Sequence, residues 1–302
     1  MCSTQDSKGL LGFSKRSNHQ FVPTSIVKFI SNPSTEKCVS VAAGNNHLVV
    51  LTTHGNVYAL GVGEEGQLGR KIIERRKING TVPERLVFGT RSRKIVAIGS
   101  GNYHSFAVDD RGDVWGWGMN TMGQTGTGVR QLNVDEEVQA PKKVIGLSKQ
   151  ELDGETIVEI AGGDHHTLFL TFDGKVYACG RSSSGQLGLP KDHPAFTDRK
   201  FPDFVPEPVL VPFPDDEDED DPVVHIAAGT QNNLAVTAGG VMFAWGQNTV
   251  GELGIGADED VPTPPTPTVV VRMECSCSAV TVAYGGEHSM VLLKKDNCRT
   301  QV

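Results

Sequence analysis

Residues Val158–Leu189 read VEIAGGDHHTLFLTFDGKVYACGRSSSGQLGL. An apolar segment runs into a Gly-rich corner ending in His166, a second meets the turn Asp173-Gly174, and a third stops at Gly180 before a closing Gly-Gln-Leu-Gly. The same order returns around Gly44, Gly101 and Gly229, and a shortened copy surrounds Gly285. With Gly163 as the matching anchor, the copies lie 57, 62, 66 and 56 residues apart. In the first four copies, glycines follow the anchor at 11 residues (Gly55, Gly112, Gly174, Gly240), at 17 (Gly61, Gly118, Gly180, Gly246) and at 22 (Gly66, Gly123, Gly185, Gly251). Fixed spacing inside a copy and variable spacing between copies mean one rigid supersecondary unit, repeated and joined by loops of free length.

The apolar segments are too short for helices, rich in β-formers and bounded by glycine turns. His47–Leu51, Thr167–Leu170 and Ser289–Leu293 are each one strand, and Val57–Leu60, Val114–Trp117, Val176–Cys179 and Val241–Trp245 each follow a tight turn. A further strand precedes the corner (Val39–Ala42, Ile95–Ile98, Ile157–Ile160, Val224–Ala227), and another follows a Pro-bearing loop (Leu86–Val87, Val144–Ile145, Val209–Val211, Val269–Val271). Four strands per copy make a propeller blade. The predicted fold class is all-β, a single propeller domain over 1–302 with complete blades at 38–90, 93–148, 155–213 and 222–273. A partial blade at 1–32, a shortened last one at 278–293 and a tail at 294–302 leave the ring expected to be open or incomplete.

Composition narrows the field without naming a partner. Glycine supplies 35 of 302 residues with no collagen period, as a fold full of sharp corners requires. The net charge of -8 becomes -1 once the seven acids of Asp215–Asp221 are set aside (-8 + 7), so the bulk charge selects no ligand. No apolar run approaches the roughly 18 residues of a membrane span, and the opening MCSTQDSKG lacks the apolar core of a secretion signal. An intracellular chain with reduced thiols is expected, because the six cysteines show no paired CxxC spacing and the sequon at Asn79 has no secretory signal to use it.

The repeat resembles that of the regulator of chromosome condensation family: apolar strand, Gly-x-x-His, acidic-Gly turn, strand ending Trp-Gly, then Gly-Gln-Leu-Gly. The branch that acts on the small GTPase Ran is suggested by Asp6–Gly12 (DSKGLLG), by Gly61–Arg70 (GVGEEGQLGR) and by Gly162–Thr167 (GGDHHT). The resemblance implies a nucleotide-exchange factor that breaks no covalent bond, needs no cofactor or metal, and works in the nucleus on chromatin, with the cytoplasm as the alternative location. It also implies partners, Ran and nucleosomal histones, with no membrane and no small-molecule substrate; for the basic loop, the alternative ligand read from its charge is DNA phosphate.

Carried over residue by residue, the resemblance assigns GTPase contact to Asp6, Asn46, Arg70, Asp164, His165 and His288. Asn46 stands where the family has an acid, which removes a charge while keeping hydrogen-bonding capacity. Asp6 belongs to the second half of the family's wedge, whose preceding aromatic and basic residues are replaced here by Ser3-Thr4-Gln5. Chromatin contact falls to the run 70–77 (RKIIERRK), with Arg70, Lys71, Arg75, Arg76 and Lys77. A non-exchanging docking or scaffold propeller is the alternative function.

The residues themselves separate frame from function. His47, His104, His166 and His288 recur at one offset, with Asn232 in the fourth copy, and so serve the blade as hydrogen-bonded corner residues. The position before them varies, as Asn46, Tyr103, His165, Gln231 and Glu287, which suits individually chosen side chains on one face. Adjacent side chains in extended backbone point oppositely, so His165 and His166 are poorly placed to share a metal or a substrate, and acid-base chemistry by Asp164 and His165 ranks last. Gly61–Gly66 spells GxGxxG, but its glycines recur in every blade and no helix follows.

Overall fold

A computed structural model describes residues 35–71, 83–90, 93–128, 136–196, 203–214, 221–249, 251–255, 264–270, 277–285 and 288–295. Asp6, Arg75, Arg76, Lys77, Glu287 and the acidic run up to 220 lie outside the described residues. The chain divides into two compact units: Met1–Thr121 with Thr125–Gly154, and Met122–Gln124 with Glu155–Val302.

The first unit holds two four-stranded antiparallel blades. Strands β1 (Cys38–Ala43), β2 (His47–Thr52), β3 (Val57–Gly61) and β4 (Glu84–Arg85) lie in chain order, as do β5 (Ile95–Ser100), β6 (His104–Asp109), β7 (Val114–Met119) and β8 (Glu137–Lys143). The second unit repeats the plan with β9 (Ile157–Gly162), β10 (His166–Thr171), β11 (Val176–Arg181) and β12 (Phe204–Leu210). It continues with β13 (Val223–Ala228), β14 (Asn232–Thr237), β15 (Met242–Gly246) and β16 (Thr268–Val269), then the hairpin of β17 (Cys277–Tyr284) and β18 (Ser289–Lys295). The all-β blade plan read from the repeat is therefore what the chain adopts.

Local chemistry accounts for the blade. The second strand of each complete blade is buried along its whole length, on both faces, which is why it reads as a continuous apolar run. The next turn closes over five residues: Thr171 N–H reaches Lys175 O at 2.9 Å, and Gly174 N–H reaches Thr171 O at 3.1 Å. Gly174 sits at φ 88°, as its counterparts Gly55, Gly112 and Gly240 sit at 72°, 81° and 83°, a region a side chain rarely enters. Neighbouring blades within a unit are tied by aromatics. Phe88, just past β4, meets Trp115 and Trp117 edge-on at 6.0 and 5.9 Å, and Phe213, past β12, meets Phe243 and Trp245 at 5.2 and 5.7 Å.

Two features depart from a plain reading of the apolar pattern. The outer strands begin earlier than the segments named for them: Leu86, Val144, Val211 and Val270 each donate one N–H to the third strand just beyond the assigned end of the fourth. The body of that strand, such as EVQAPKK in β8, is mostly exposed and polar and so carries little apolar signal. The first strand of every copy contains a β-bulge, and the residue that drops out of register is each time a valine: Val39, Val96, Val158, Val224 and Val280. An unpaired bulge residue turns out of the pleat, and all five valines are exposed. Val158→Ser should therefore change unfolding free energy by no more than about 0.5 kcal/mol, measured by urea titration, although it interrupts the apolar run of β9.

Candidate functional site

The corner between the first and second strands is built on a close approach. In Gly163-Asp-His-His166 the imidazole of His166 lies against the Gly163 Cα, where any side chain would overlap the ring, and Gly44 stands in the same relation to His47. The imidazole then reaches the next blade: His47 Nε2 lies 2.6 Å from Ser105 Oγ, and His166 Nε2 lies 2.7 Å from Asn233 Oδ1. The Asn233 amide nitrogen is used on Gln186 O at 2.8 Å, so His166 Nε2 carries the proton and donates. Burial pushes the pKa of both histidines down to about 4, which keeps them neutral. His47 and His166 are blade-to-blade fasteners.

A second fastener recurs beside them. The carbonyl at the Gly-Gln position accepts from the following blade: Gln67 O from Trp117 Nε1 at 3.0 Å, and Gln124 O from Thr167 Oγ1 at 2.7 Å. Gln186 O is used likewise, and Glu252 O accepts from the Tyr284 hydroxyl at 3.1 Å. Ser105, Thr167 and Asn233 were missed in the sequence although a signal existed, since each is a polar residue four past the anchor that follows the corner residue directly and opens an otherwise apolar stretch.

With the frame fixed in this way, the residue before each corner is a rigid base with a variable side chain. Its carbonyl is held by an N–H at the end of the third strand or one residue beyond it in every complete blade: Asn46 O by Val62, Tyr103 O by Met119, His165 O by Arg181 and Gln231 O by Gln247, at 2.8 to 3.0 Å. All four side chains are half-buried. Within the first unit the tips touch, Asn45 N–H reaching Asn102 O at 2.9 Å and Asn45 Nδ2 the Tyr103 hydroxyl at 2.7 Å. Within the second unit, Asp164 N–H reaches Thr230 O at 3.2 Å and Ser184 Oγ reaches Gln231 Oε1 at 2.9 Å.

The named residues sort unequally onto this surface. His165 is half-exposed while His166 is buried, so the two rings do face opposite ways. Partial burial and Arg181 lower the His165 pKa, and the Asp164 carboxylate opposes them. His288 packs on Gly285 as the other corner residues pack on their glycines but is exposed, with no following strand over it among the described residues. Arg70 is not presented as a loose cation: its side chain is 15% exposed and its guanidinium bridges Glu84 at 2.9 Å, tying the connector to the outer strand. Lys71 is exposed. Among the described residues no three His, Cys, Asp or Glu side chains gather as metal ligands would, and no helix is long and apolar enough to cross a membrane.

Comparison with known proteins decides the family. The RCC1-like domain matches residues 1–291. This chain belongs to the RCC1-like domain family. The Schizosaccharomyces pombe protein pim1 is 34% identical over 260 residues, covering 84% of this chain and 44% of that protein. The guanine nucleotide exchange factor SRM1 of Saccharomyces cerevisiae is 33% identical over 257 residues (84% and 50%), and the Xenopus laevis regulator of chromosome condensation 31% over 306 residues (97% and 64%). The crystal structure of Saccharomyces cerevisiae Prp20p, described with its binding to Gsp1p and histones, superposes with a TM-score of 0.77 at 29% identity. It covers 99% of this RCC1-like chain and 62% of Prp20p. The chain thus spans about half to two thirds of the length of these relatives. The resemblance read from Gly-x-x-His and Gly-Gln-Leu-Gly holds for nearly the whole chain.

Proposed function

We propose that this RCC1-like chain promotes release of GDP from a small GTPase of the Ran type, acting through the corner tips rather than through a reactive pocket. The observation that carries the reading is the tip position, where an imidazole, a phenol and two amides of different length stand on identically clamped backbone. A relative named as a guanine nucleotide exchange factor supports the activity class. Exchange breaks no covalent bond. A surface that binds the nucleotide-free GTPase more tightly than the loaded one must, by reciprocity, weaken nucleotide binding by the same factor. It does so by displacing the switch loops and the phosphate and Mg²⁺ contacts that retain the nucleotide.

In this reading Asn46, Asp164, His165 and His288 contact the GTPase, and Asp6 joins them from the wedge segment. Arg70 acts by holding its connector through Glu84. The chain is nuclear and chromatin-bound, with Lys71, Arg75, Arg76 and Lys77 facing the nucleosome. The test is release of a fluorescent GDP from Ran with the 302-residue chain present: acceleration is expected, and a rate equal to spontaneous release rejects the reading.

A second reading, a docking propeller without exchange, is favoured by the run of basic residues at 70–77 and by the histone binding described for Prp20p. Replacing Arg75, Arg76 and Lys77 with Ser should weaken nucleosome binding and flatten its salt dependence, each lost phosphate contact lowering the slope by about one. Unchanged binding and slope would place the docking surface elsewhere.

A further inference from the structure

We propose that Gln124 is a positioning residue that fixes the tautomer of His165, so that the imidazole offers its Nε2–H outward to a carbonyl or carboxylate oxygen of the partner. The inference rests on the reading of His165 as a partner contact. Gln124 is fully buried, and its own surroundings settle which way its amide faces. The Oε1 atom accepts the Met122 N–H at 2.9 Å, and the same bond is made by Gln67 to Glu65 N–H at 2.9 Å and by Gln186 to Ser184 N–H at 2.7 Å. A backbone N–H needs an oxygen there, so the amide nitrogen is the atom left facing His165 Nδ1, at 3.4 Å.

That nitrogen can only donate. Nδ1 must therefore accept, which puts the single proton of the neutral ring on Nε2. Two anchors hold Gln124 in place: its backbone carbonyl accepts from Thr167 Oγ1 at 2.7 Å and from Cys179 Sγ at 3.6 Å, and its buried side-chain amide is kept in orientation by the Met122 N–H on Oε1. Thr167 lies on β10, which starts at His166, so the backbone of the residue that sets the proton is pinned to the strand that follows His165 directly. His166, one position on, spends its Nε2–H inside the protein on Asn233. His165 keeps its own for a partner. An outward donor with no acceptor capacity selects for oxygen and against an ammonium or guanidinium at the same place.

The test uses the 302-residue chain with ¹⁵N-labelled histidine, reading the two His165 ring nitrogens by NMR. The expected wild-type spectrum has a pyridine-type Nδ1 and a pyrrole-type Nε2. In Gln124→Glu a carboxylate faces Nδ1 and draws the proton to it, so Nδ1 should become pyrrole-type. Glu252 occupies the equivalent position of the fourth copy, so a carboxylate fits the frame. Gln124→Met, which removes the donor without adding an acceptor, should leave a mixture of tautomers. GDP release by Gln124→Glu should fall about tenfold, the loss of roughly one hydrogen bond. A wild-type Nε2 that is pyridine-type, or a Gln124→Glu spectrum unchanged at His165, overturns the proposal. If the tautomer switches while Gln124→Glu and His165→Ala both release GDP at the wild-type rate, the outward donor has no partner and the contact reading falls, not the tautomer assignment.

Discussion

Acidification from pH 6.5 to 4 is expected to cost about 3 kcal/mol of stability for each of His47 and His166, from the shift of their pKa from 6.5 to about 4. The sign follows from where the proton goes. Above pH 6.5 each histidine is neutral folded or unfolded, and its contribution is complete. Between 6.5 and 4 the unfolded chain takes up a proton that the buried ring refuses, so stability falls as pH falls, by about 1.4 kcal/mol per pH unit per histidine. Glu159 acts the other way: burial against β13 raises its carboxyl, which binds its proton earlier in the folded chain than in the unfolded one. The lowered carboxylates of Glu36 and Asp173 add their loss only below about pH 4.5. His166→Asn isolates one fastener, because Asn232 fills the same position in the fourth copy. Denaturant midpoints of the variant should fall less steeply between pH 6 and 4.5. Parallel slopes for the two proteins would mean that His166 does not titrate across folding.

His165→Ala is expected to slow GDP release from Ran about 30-fold, the effect of losing one interface hot spot of about 2 kcal/mol. The side chain stands on backbone held by Arg181 N–H, so truncation removes the imidazole without loosening the corner. Thermal stability should stay near that of the wild type, since the ring is half-exposed and outside the apolar cores. Tyr103→Phe is the natural contrast. It removes the hydroxyl that binds Asn45 at 2.7 Å and tests whether tip-to-tip contact in the first unit also supports the partner surface. A release rate for His165→Ala within twofold of wild type would remove His165 from the interface.

What was legible in the sequence was whatever repeats. Three constant glycine offsets defined the blade, because each glycine answers a local demand: a positive φ at Gly174, a ring against Gly163. The same logic marked the corner histidines as frame and the residue before them as free to vary. The five bulged valines show where local reading stops. They look like core in an apolar run and are exposed, because a bulge changes which way a side chain points without changing its chemistry. The outer strands were placed late for the converse reason, their residues being exposed and polar.

The sequence by itself determined the blade, its number of copies and the position at which they differ, since these depend on residues close together in the chain. Only the tertiary structure decided that Arg70 is bound to Glu84, that His288 is open where His166 is closed, and that Gln124 stands behind His165. The physical reason is reach. A turn is dictated by the few residues that form it, whereas the state of a charge or a proton is set by atoms that arrive from another blade 41 residues away in the chain.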